Sequence, residues 1–188
     1  TLASFLQEDP LWNSNPYTCA SGNPINHIDP LGMDSIHITI RNEKTIVTYK
    51  DNNNIVTWVA IANSGQGEGM NNPSMSRIPD LGPIIKGKYH IDLSDNGAPD
   101  PVRNATRNEA WGLYAWKLNE TPLTRLKRNF LYRDREGGFY LHQDKYGRNS
   151  EGTSGCVGIL GYHKMEELKL LLEKYSINNK EIDVIVYY

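Results

Sequence analysis

One histidine and one cysteine, His142 and Cys156, have the residue types and the spacing that covalent chemistry needs. A thiol becomes a nucleophile when a neighbouring base takes its proton, and histidine suits that role because its unperturbed pKa of about 6.5 lies near neutral pH. Gly155 precedes the cysteine, and the missing side chain lets backbone N–H groups approach a bound carbonyl group as an oxyanion hole. These residues predict a cysteine nucleophile with a histidine base. A buried structural thiol beside an unrelated histidine fits them too, since free cysteine is among the most buried residue types.

The elements around this pair predict a mainly β domain. Apolar residues alternate at 36, 38 and 40, and two β-branched runs, 46–49 and 55–59, flank the turn residues 51–54 as in a hairpin. Further strand candidates, rich in apolar and aromatic residues, are 88–93, 111–118, 130–132 and 182–187. The last of these is apolar on both sides, which predicts a central strand.

One helix is predicted, directly after the cysteine. Apolar residues recur there at helical spacing, at Met165, Leu168, Leu171, Leu172 and Tyr175. By contrast, residues 63–87 carry many glycines and prolines and predict a long loop. Because a loop of that length inside a compact domain is usually functional, we interpret it as a wall of the binding site.

Composition narrows the range of functions. The 188 residues suffice for one domain and a tail, and 20 basic against 22 acidic residues give a net charge of −2, which does not suit a nucleic-acid-binding protein. The one local basic cluster is predicted to be a solvated strand-and-turn surface; it comprises Arg125, Lys127, Arg128, Arg133 and Arg135. The sequence has no apolar run that approaches the roughly 18 residues of a membrane span, and no pattern of a signal peptide. Export would therefore need another carrier.

Metal and disulfide chemistry are not predicted. The other histidines, 27, 37, 90 and 163, have no partner at metal-ligand spacing, and the chain contains no Cys-x-x-Cys or His-Glu-x-x-His motif. We therefore predict no metal and no cofactor. The two cysteines, Cys19 and Cys156, lie in segments of different character and are interpreted as free thiols.

The first 32 residues differ from the rest, because Asp-Pro or Asn-Pro pairs interrupt them at positions 9, 15, 23 and 29. This run resembles the end of the core of rearrangement-hotspot (Rhs) repeat proteins, where the tail closes a β-shell and a variable toxin domain follows. The resemblance divides the chain into an Rhs tail, 1–33, and a toxin domain, 34–188. It also implies the Rhs core shell as a partner and self-cleavage near Met33, with Asp9 and Asp29 as its candidate residues. A proline-rich linker is the alternative.

The order of the two reactive residues excludes a papain-like site, in which the cysteine comes first. A histidine on a strand, then a loop, then Thr153, Ser154, Gly155 and Cys156, resembles the signature of YkuD-type L,D-transpeptidases. Glycine- and proline-rich motifs between 65 and 91 resemble the transpeptidase-like effectors of type VI secretion. The resemblance implies a β-sandwich or barrel and a base, His142, oriented by the main-chain carbonyl of Gln143. It places Ser154 and Gly155 at the oxyanion and positioning site; a side-chain role for Gln143 or Asp144 stays open.

Together these observations predict a secreted antibacterial toxin that acts on peptidoglycan stem peptides in the periplasm of target bacteria. The expected reaction is cysteine acyl transfer, either as an L,D-carboxypeptidase or as an L,D-transpeptidase that exchanges a D-amino acid. A producing cell would need a cognate immunity protein. Two alternatives remain: a Cys-His toxin of another class, an amidase or a protein-modifying enzyme, and a binding module for cell wall or partner that does not catalyse.

Overall fold

The computed structural model describes residues 33–95, 97, 114–144 and 152–188. Most of the predicted tail lies outside these ranges, including Asp9, Asp29 and Cys19. Within them the protein is mainly β, as predicted, and its strands form a single nine-stranded sheet in the order β5-β7-β8-β3-β2-β1-β9-β4-β6. The strands are β1 (Ser35–Arg41), β2 (Lys44–Lys50), β3 (Val56–Gln66), β4 (Gly87–Asp92), β5 (Ala115–Lys117), β6 (Asn119–Glu120), β7 (Tyr140–Asp144), β8 (Gly152–Leu160) and β9 (Glu181–Tyr187).

The predicted hairpin is confirmed as β2 and β3, which pair antiparallel from Thr45–Ala62 to Lys50–Val56. The side chain of Asp51 holds the turn, because its Oδ1 accepts hydrogen bonds from the backbone N–H groups of Asn53 and Ile55 at 3.0 and 2.9 Å. The polar turn residues thus satisfy the backbone groups that the strand pairing leaves open.

The last strand is central, as predicted. β9 pairs in parallel with β1 on one side and antiparallel with β4 on the other. Alternate residues of β1 and β9 are fully or almost fully buried: Ile36, Ile38 and Ile40, with Ile182, Val184 and Val186. One face of the sheet therefore builds the hydrophobic core, because side chains alternate between faces along a strand.

The predicted helix after the cysteine is confirmed as α2 (Tyr162–Ser176). Met165, Leu168 and Leu172 are buried on its inner side, while Leu171 and Tyr175 are partly buried against the core. Within the described part of the chain, no helix is long and apolar enough to cross a membrane.

A second helix, α1 (Pro122–Leu131), replaces the strand predicted at 130–132, so that prediction was wrong. The helix begins with a strong start signal: the Thr121 hydroxyl accepts a hydrogen bond from the Thr124 N–H, and Pro122 occupies the first turn. This cap outweighs the aromatic strand signal of Phe130, whose side chain is 65% exposed.

The basic cluster is also corrected. Arg128 lies on α1 and pairs with buried Glu120 at 2.8 Å, and Arg135 is only 3% exposed. Arg125 and Arg133 remain exposed, in agreement with the prediction of a solvated surface. The basic cluster therefore contains two arginines, Arg128 and Arg135, that pack against the protein.

Candidate active site

The two reactive residues lie on adjacent parallel strands. β7 and β8 pair with Leu141 opposite Val157 and His142 opposite Gly158. Leu141 and Val157 face the core, so His142 and Gly158 occupy the other face of the sheet, and Cys156, two residues before Gly158, shares it. Strands roughly 4.8 Å apart with a rise of about 3.3 Å per residue bring the Cα atoms of His142 and Cys156 within about 8 Å. The fold thus brings the predicted pair together as diagonal neighbours.

His142 is held in one orientation by its own strand. Its Nδ1 lies 2.9 Å from the carbonyl oxygen of Gln143, and since a carbonyl can only accept, Nδ1–H is the donor. Nε2 of the neutral ring is then the nitrogen that can take a proton. Burial lowers the pKa of His142, while the Gln143 hydrogen bond and the charge of Asp144 oppose that effect. The imidazole is therefore a neutral base at pH 7, which is the form that general-base chemistry requires.

Asp144 completes the polar surroundings of the base. Its side chain is buried above Gly158: a Cβ added to Gly158 would lie 3.1 Å from the Asp144 Cβ and 3.3 Å from its Oδ2. The absent side chain at position 158 therefore leaves room for Asp144. The strand register that brings the two residues together could not be read from the sequence.

Hydrogen bonds connect the part of β8 before Cys156 to the segment that begins at the end of β3. The hydroxyl of buried Thr153 donates to the carbonyl of Cys156 and accepts from the Gly65 N–H at 3.3 Å. The Ser64 hydroxyl donates to the carbonyl of Gly155 at 3.4 Å and accepts from the Ile84 N–H at 2.9 Å. Both ends of the 63–87 segment therefore hold strand β8, which carries Cys156.

The buried amide of Asn71 extends this network. Its Oδ1 accepts from the Thr45 hydroxyl at 2.6 Å and from the Ser64 N–H at 2.9 Å, and its Nδ2 donates to Asn63 Oδ1 at 3.1 Å. A buried polar network of this kind fixes geometry, because each partner would leave an unsatisfied group if it moved. Much of the predicted loop is thus tightly held: β3 continues to Gln66, and short 3-10 turns follow at Gly67–Gly69 and Pro73–Met75.

The other predicted site residues differ in exposure. Cys156 is half-buried, Ser154 is exposed, and Gln143 is half-buried, with its N–H donating to the carbonyl of Tyr114 at 3.2 Å. Gly155 is buried with a φ of +96°, a backbone conformation that favours glycine. Ser154 and Cys156 are two residues apart on β8 and therefore share one face of the sheet, with the serine side chain exposed and the thiol partly covered.

Arg135 packs against Gly155, and sequence reasoning missed it. A Cβ on Gly155 would lie 2.4 Å from Arg135 Nη2, 3.0 Å from the Phe139 ring and 3.3 Å from the carbonyl oxygen of Gly82. The absent side chain at position 155 therefore leaves room for Arg135 and Phe139. The only sequence signal for Arg135 is its place in a basic cluster, and that signal predicts an exposed side chain.

Within the described residues, no three His, Cys, Asp or Glu side chains lie close enough together to hold a metal ion. The polar groups around His142 and Cys156 can instead perform proton transfer and nucleophilic attack.

Comparisons with known proteins agree with this fold. The family model described as the Tlde1 domain matches residues 59–182, a range that contains both His142 and Cys156. Among solved structures, the chain is similar to the helical cell shape determining protein Pgp2 from Campylobacter jejuni, with a TM-score of 0.51 and 11% sequence identity. The similarity covers 82% of this chain and 47% of the Pgp2 chain, so this chain spans about half the length of that protein. The predicted mainly β, L,D-transpeptidase-like fold class is confirmed. No curated protein sequence matches the chain at a significant level.

Proposed function

Since the chain belongs to the Tlde1 domain family of type VI secretion effectors, we propose that it is an antibacterial enzyme whose Cys156 cleaves peptidoglycan stem peptides by acyl transfer. The observation that carries this proposal is the diagonal placement of His142 and Cys156 on one face of two adjacent strands. A neutral imidazole with a fixed tautomer, next to a half-buried thiol, is the arrangement that cysteine acyl transfer needs.

The first half of the reaction forms a thioester. His142 Nε2 takes the thiol proton, and the Cys156 sulfur attacks the carbonyl carbon of meso-diaminopimelate in the stem tetrapeptide. Backbone N–H groups at Gly155 and Cys156 stabilise the oxyanion of the tetrahedral intermediate. The carbon–nitrogen bond then breaks, and the leaving D-alanine amine receives the proton from His142.

The second half releases the product. Water or the amine of another D-amino acid loses a proton to His142 and attacks the thioester, and the Cys156 sulfur leaves and is reprotonated. Water gives an L,D-carboxypeptidase, whereas an amine gives an exchange reaction. Ser154, whose side chain is exposed next to the thiol, is positioned to contact the substrate.

The delivery of the enzyme forms part of the same proposal. Residues 1–33 are the tail of an Rhs core, Asp9 and Asp29 take part in cleavage near Met33, and 34–188 is the toxin domain. In the described part of the chain, the first strand begins at Ser35, directly after that proposed boundary. The toxin acts in the periplasm of target cells, and an immunity protein protects the producing cell.

The test compares Cys156→Ala and His142→Ala with the unaltered chain on purified muropeptides. Mass spectrometry is expected to show tetrapeptide converted to tripeptide, or its terminal D-alanine exchanged, with the unaltered chain and not with either variant. His163→Ala is the matched control, because His163 is exposed on α2, outside the site. Unchanged turnover in Cys156→Ala would refute the nucleophile assignment. Toxicity that requires cytoplasmic rather than periplasmic expression would instead favour an amidase or a protein-modifying toxin.

A further inference from the structure

The buried guanidinium of Arg135 packs against Gly155 on β8, the residue before the proposed nucleophile. Arg135 Nη1 donates to the carbonyl oxygens of Ile78 and Gly82 at 2.8 and 2.9 Å, and Nη2 donates to that of Pro83 at 3.2 Å. Its Cζ lies 5.3 Å from the centre of the Phe139 ring, a cation–π contact. Arg135 thus connects residues 78–83 to strand β8 at Gly155.

Among the described residues, no carboxylate lies within ion-pair distance of Arg135. The ion pairs of the described residues involve Arg125 and Arg128 with Glu120, Lys164 with Glu167, and Lys169 with Glu173, and none involves Arg135. Charged side chains are almost never fully buried unless they are paired. A cation that is 3% exposed and held by three carbonyl oxygens is therefore an unusual feature that purely structural packing does not require.

We propose that Arg135 is a positioning residue for the nucleophile, which fixes the backbone of β8 at Gly155 and supplies a permanent positive charge that favours the thiolate of Cys156. This inference deepens the proposed function, since it rests on Cys156 being the nucleophile. Arg135 acts on Cys156 through the backbone of β8 and through its positive charge. It does not touch the substrate.

The chemistry of the pair explains why such a charge is useful. Burial lowers the pKa of His142, so the imidazole is a weak base for the thiol proton. A fixed cation packed against Gly155, the residue before Cys156, favours the thiolate without taking up a proton, because a guanidinium stays charged throughout the working pH range. Burial also lowers the pKa of Arg135, and neighbouring acidic groups, among them the Asp80 carboxylate and the Cys156 thiol, oppose that effect. The interaction between Arg135 and Cys156 works in both directions. A thiolate at Cys156 favours the charged form of Arg135, and charged Arg135 favours the thiolate.

The groups that share this environment are known from their contacts. His142 and Asp144 face the thiol side from β7, and Gly158 lets the Asp144 side chain lie against β8. On the Arg135 side, Arg128 Nη1 donates to the main-chain carbonyl of Arg135 at 3.2 Å. Since Asp144 opposes a thiolate and Arg135 favours it, removing the cation leaves the acidic group unbalanced.

The test measures the rate of iodoacetamide alkylation against pH, in a Cys19→Ser background so that Cys156 is the reacting thiol. Arg135→Met removes the charge at similar length, Arg135→Lys keeps the charge but loses the planar fork, and Arg133→Met is the control at an exposed arginine. We expect Arg135→Met to react about tenfold more slowly at pH 7, with its pH profile moved to higher pH. Arg135→Lys is expected to recover most of the rate at neutral pH, and Arg133→Met to match the unaltered chain.

Two results would overturn the inference. One is an Arg135→Met variant that is folded by circular dichroism and has the unaltered pH profile. The other is an equal loss of reactivity in folded Arg135→Lys and Arg135→Met, which would assign Arg135 a structural role alone. If Arg135→Met does not fold, the profile of Arg135→Lys decides: a shift to higher pH despite the retained charge contradicts the inference. The readout needs no substrate, so a Cys156 that reacts no faster than a peptide thiol in the unaltered chain would count against the proposed function instead.

Discussion

Nδ1 of His142 lies 2.9 Å from the main-chain carbonyl oxygen of Gln143, its neighbour along β7. The acceptor is part of the strand backbone, so the orientation of the ring does not depend on the rotamer of another side chain. Backbone pairing between β7 and β8 holds both the imidazole and the thiol strand. The site is therefore as rigid as the sheet that carries it, which is the condition for a preorganised nucleophile and base.

The role of the Gln143 backbone leads to a contrast between two neighbouring residues. Gln143→Ala keeps the main-chain acceptor and is expected to retain turnover within a few-fold of the unaltered chain. Asp144→Asn removes the charge that raises the pKa of His142, so the pKa falls further and the acid limb of the rate profile moves to lower pH. We expect turnover at pH 7 to fall about tenfold, because the developing imidazolium loses its carboxylate. Rate profiles of both variants on muropeptides check this, and an unchanged acid limb in Asp144→Asn would contradict it.

The buried base makes the stability of the domain depend on pH. Burial lowers the pKa of His142 in the folded state below its ordinary value near 6.5, so the unfolded chain binds a proton more readily. The contribution of His142 is therefore complete above about pH 6.5 and is lost as the pH falls from there towards the folded-state pKa. We expect His142→Gln to weaken this dependence. Denaturant unfolding of both proteins at pH 7.5 and 5.5 measures it; a variant that loses as much stability as the unaltered chain would refute the prediction.

Two effects oppose a side chain at position 155, the positive φ and the contact with Arg135, and a second glycine allows them to be measured separately. Gly155→Ala meets both a φ of +96° and the Arg135 side chain at 2.4 Å, whereas Gly138→Ala meets a φ of +100° with nothing within 4 Å. Strain at positive φ costs about 1–3 kcal/mol. Both variants are expected to lose stability by about that amount, with a further loss at Gly155 from displaced Arg135. Urea denaturation gives the two values, and equal losses would show that the contact with Arg135 is easily relieved.

Helix α2 provides a test of the core under the site. Leu168 is fully buried and Leu170 is 63% exposed, two residues apart on the same helix. Leu168→Ala is expected to lower the free energy of unfolding by about 2–5 kcal/mol, because it leaves a cavity. Leu170→Ala should change it by no more than about 0.5 kcal/mol. Thermal or urea unfolding compares them, and similar losses would mean that α2 is packed differently.

The sequence predicted those parts of the fold that depend on local patterns. Alternation identified β1, runs rich in apolar residues identified β4 and β9, turn residues identified the hairpin, and helical spacing identified α2, because each signal lies within one element. α1 was missed because aromatic residues near its end resembled a strand, although Thr121 and Pro122 carried a helix start signal.

The site was predictable only in its chemically distinctive members. His142 and Cys156 are recognisable by residue type and order, and the roles of Ser154, Gly155 and Gln143 remain predictions. Asp144 was considered only as a possible side-chain partner of His142, because its packing against Gly158 depends on the register of β7 and β8. Arg135 was not recognisable as a neighbour of the site, because its position depends on how distant segments pack. A buried arginine is also indistinguishable from a surface one in a basic cluster until the carbonyl groups that bind it are located.

The position of β9 has a consequence for when the site around His142 and Cys156 is complete. This strand is inserted between β1 and β4, so it joins the first strand of the domain to its middle and is needed on both sides. Pairings between distant parts of a chain form late and slowly. During synthesis, the segments that carry His142 and Cys156 emerge from the ribosome before the strand that completes the sheet. We therefore expect the nascent chain to be catalytically silent until residues 181–187 have been added.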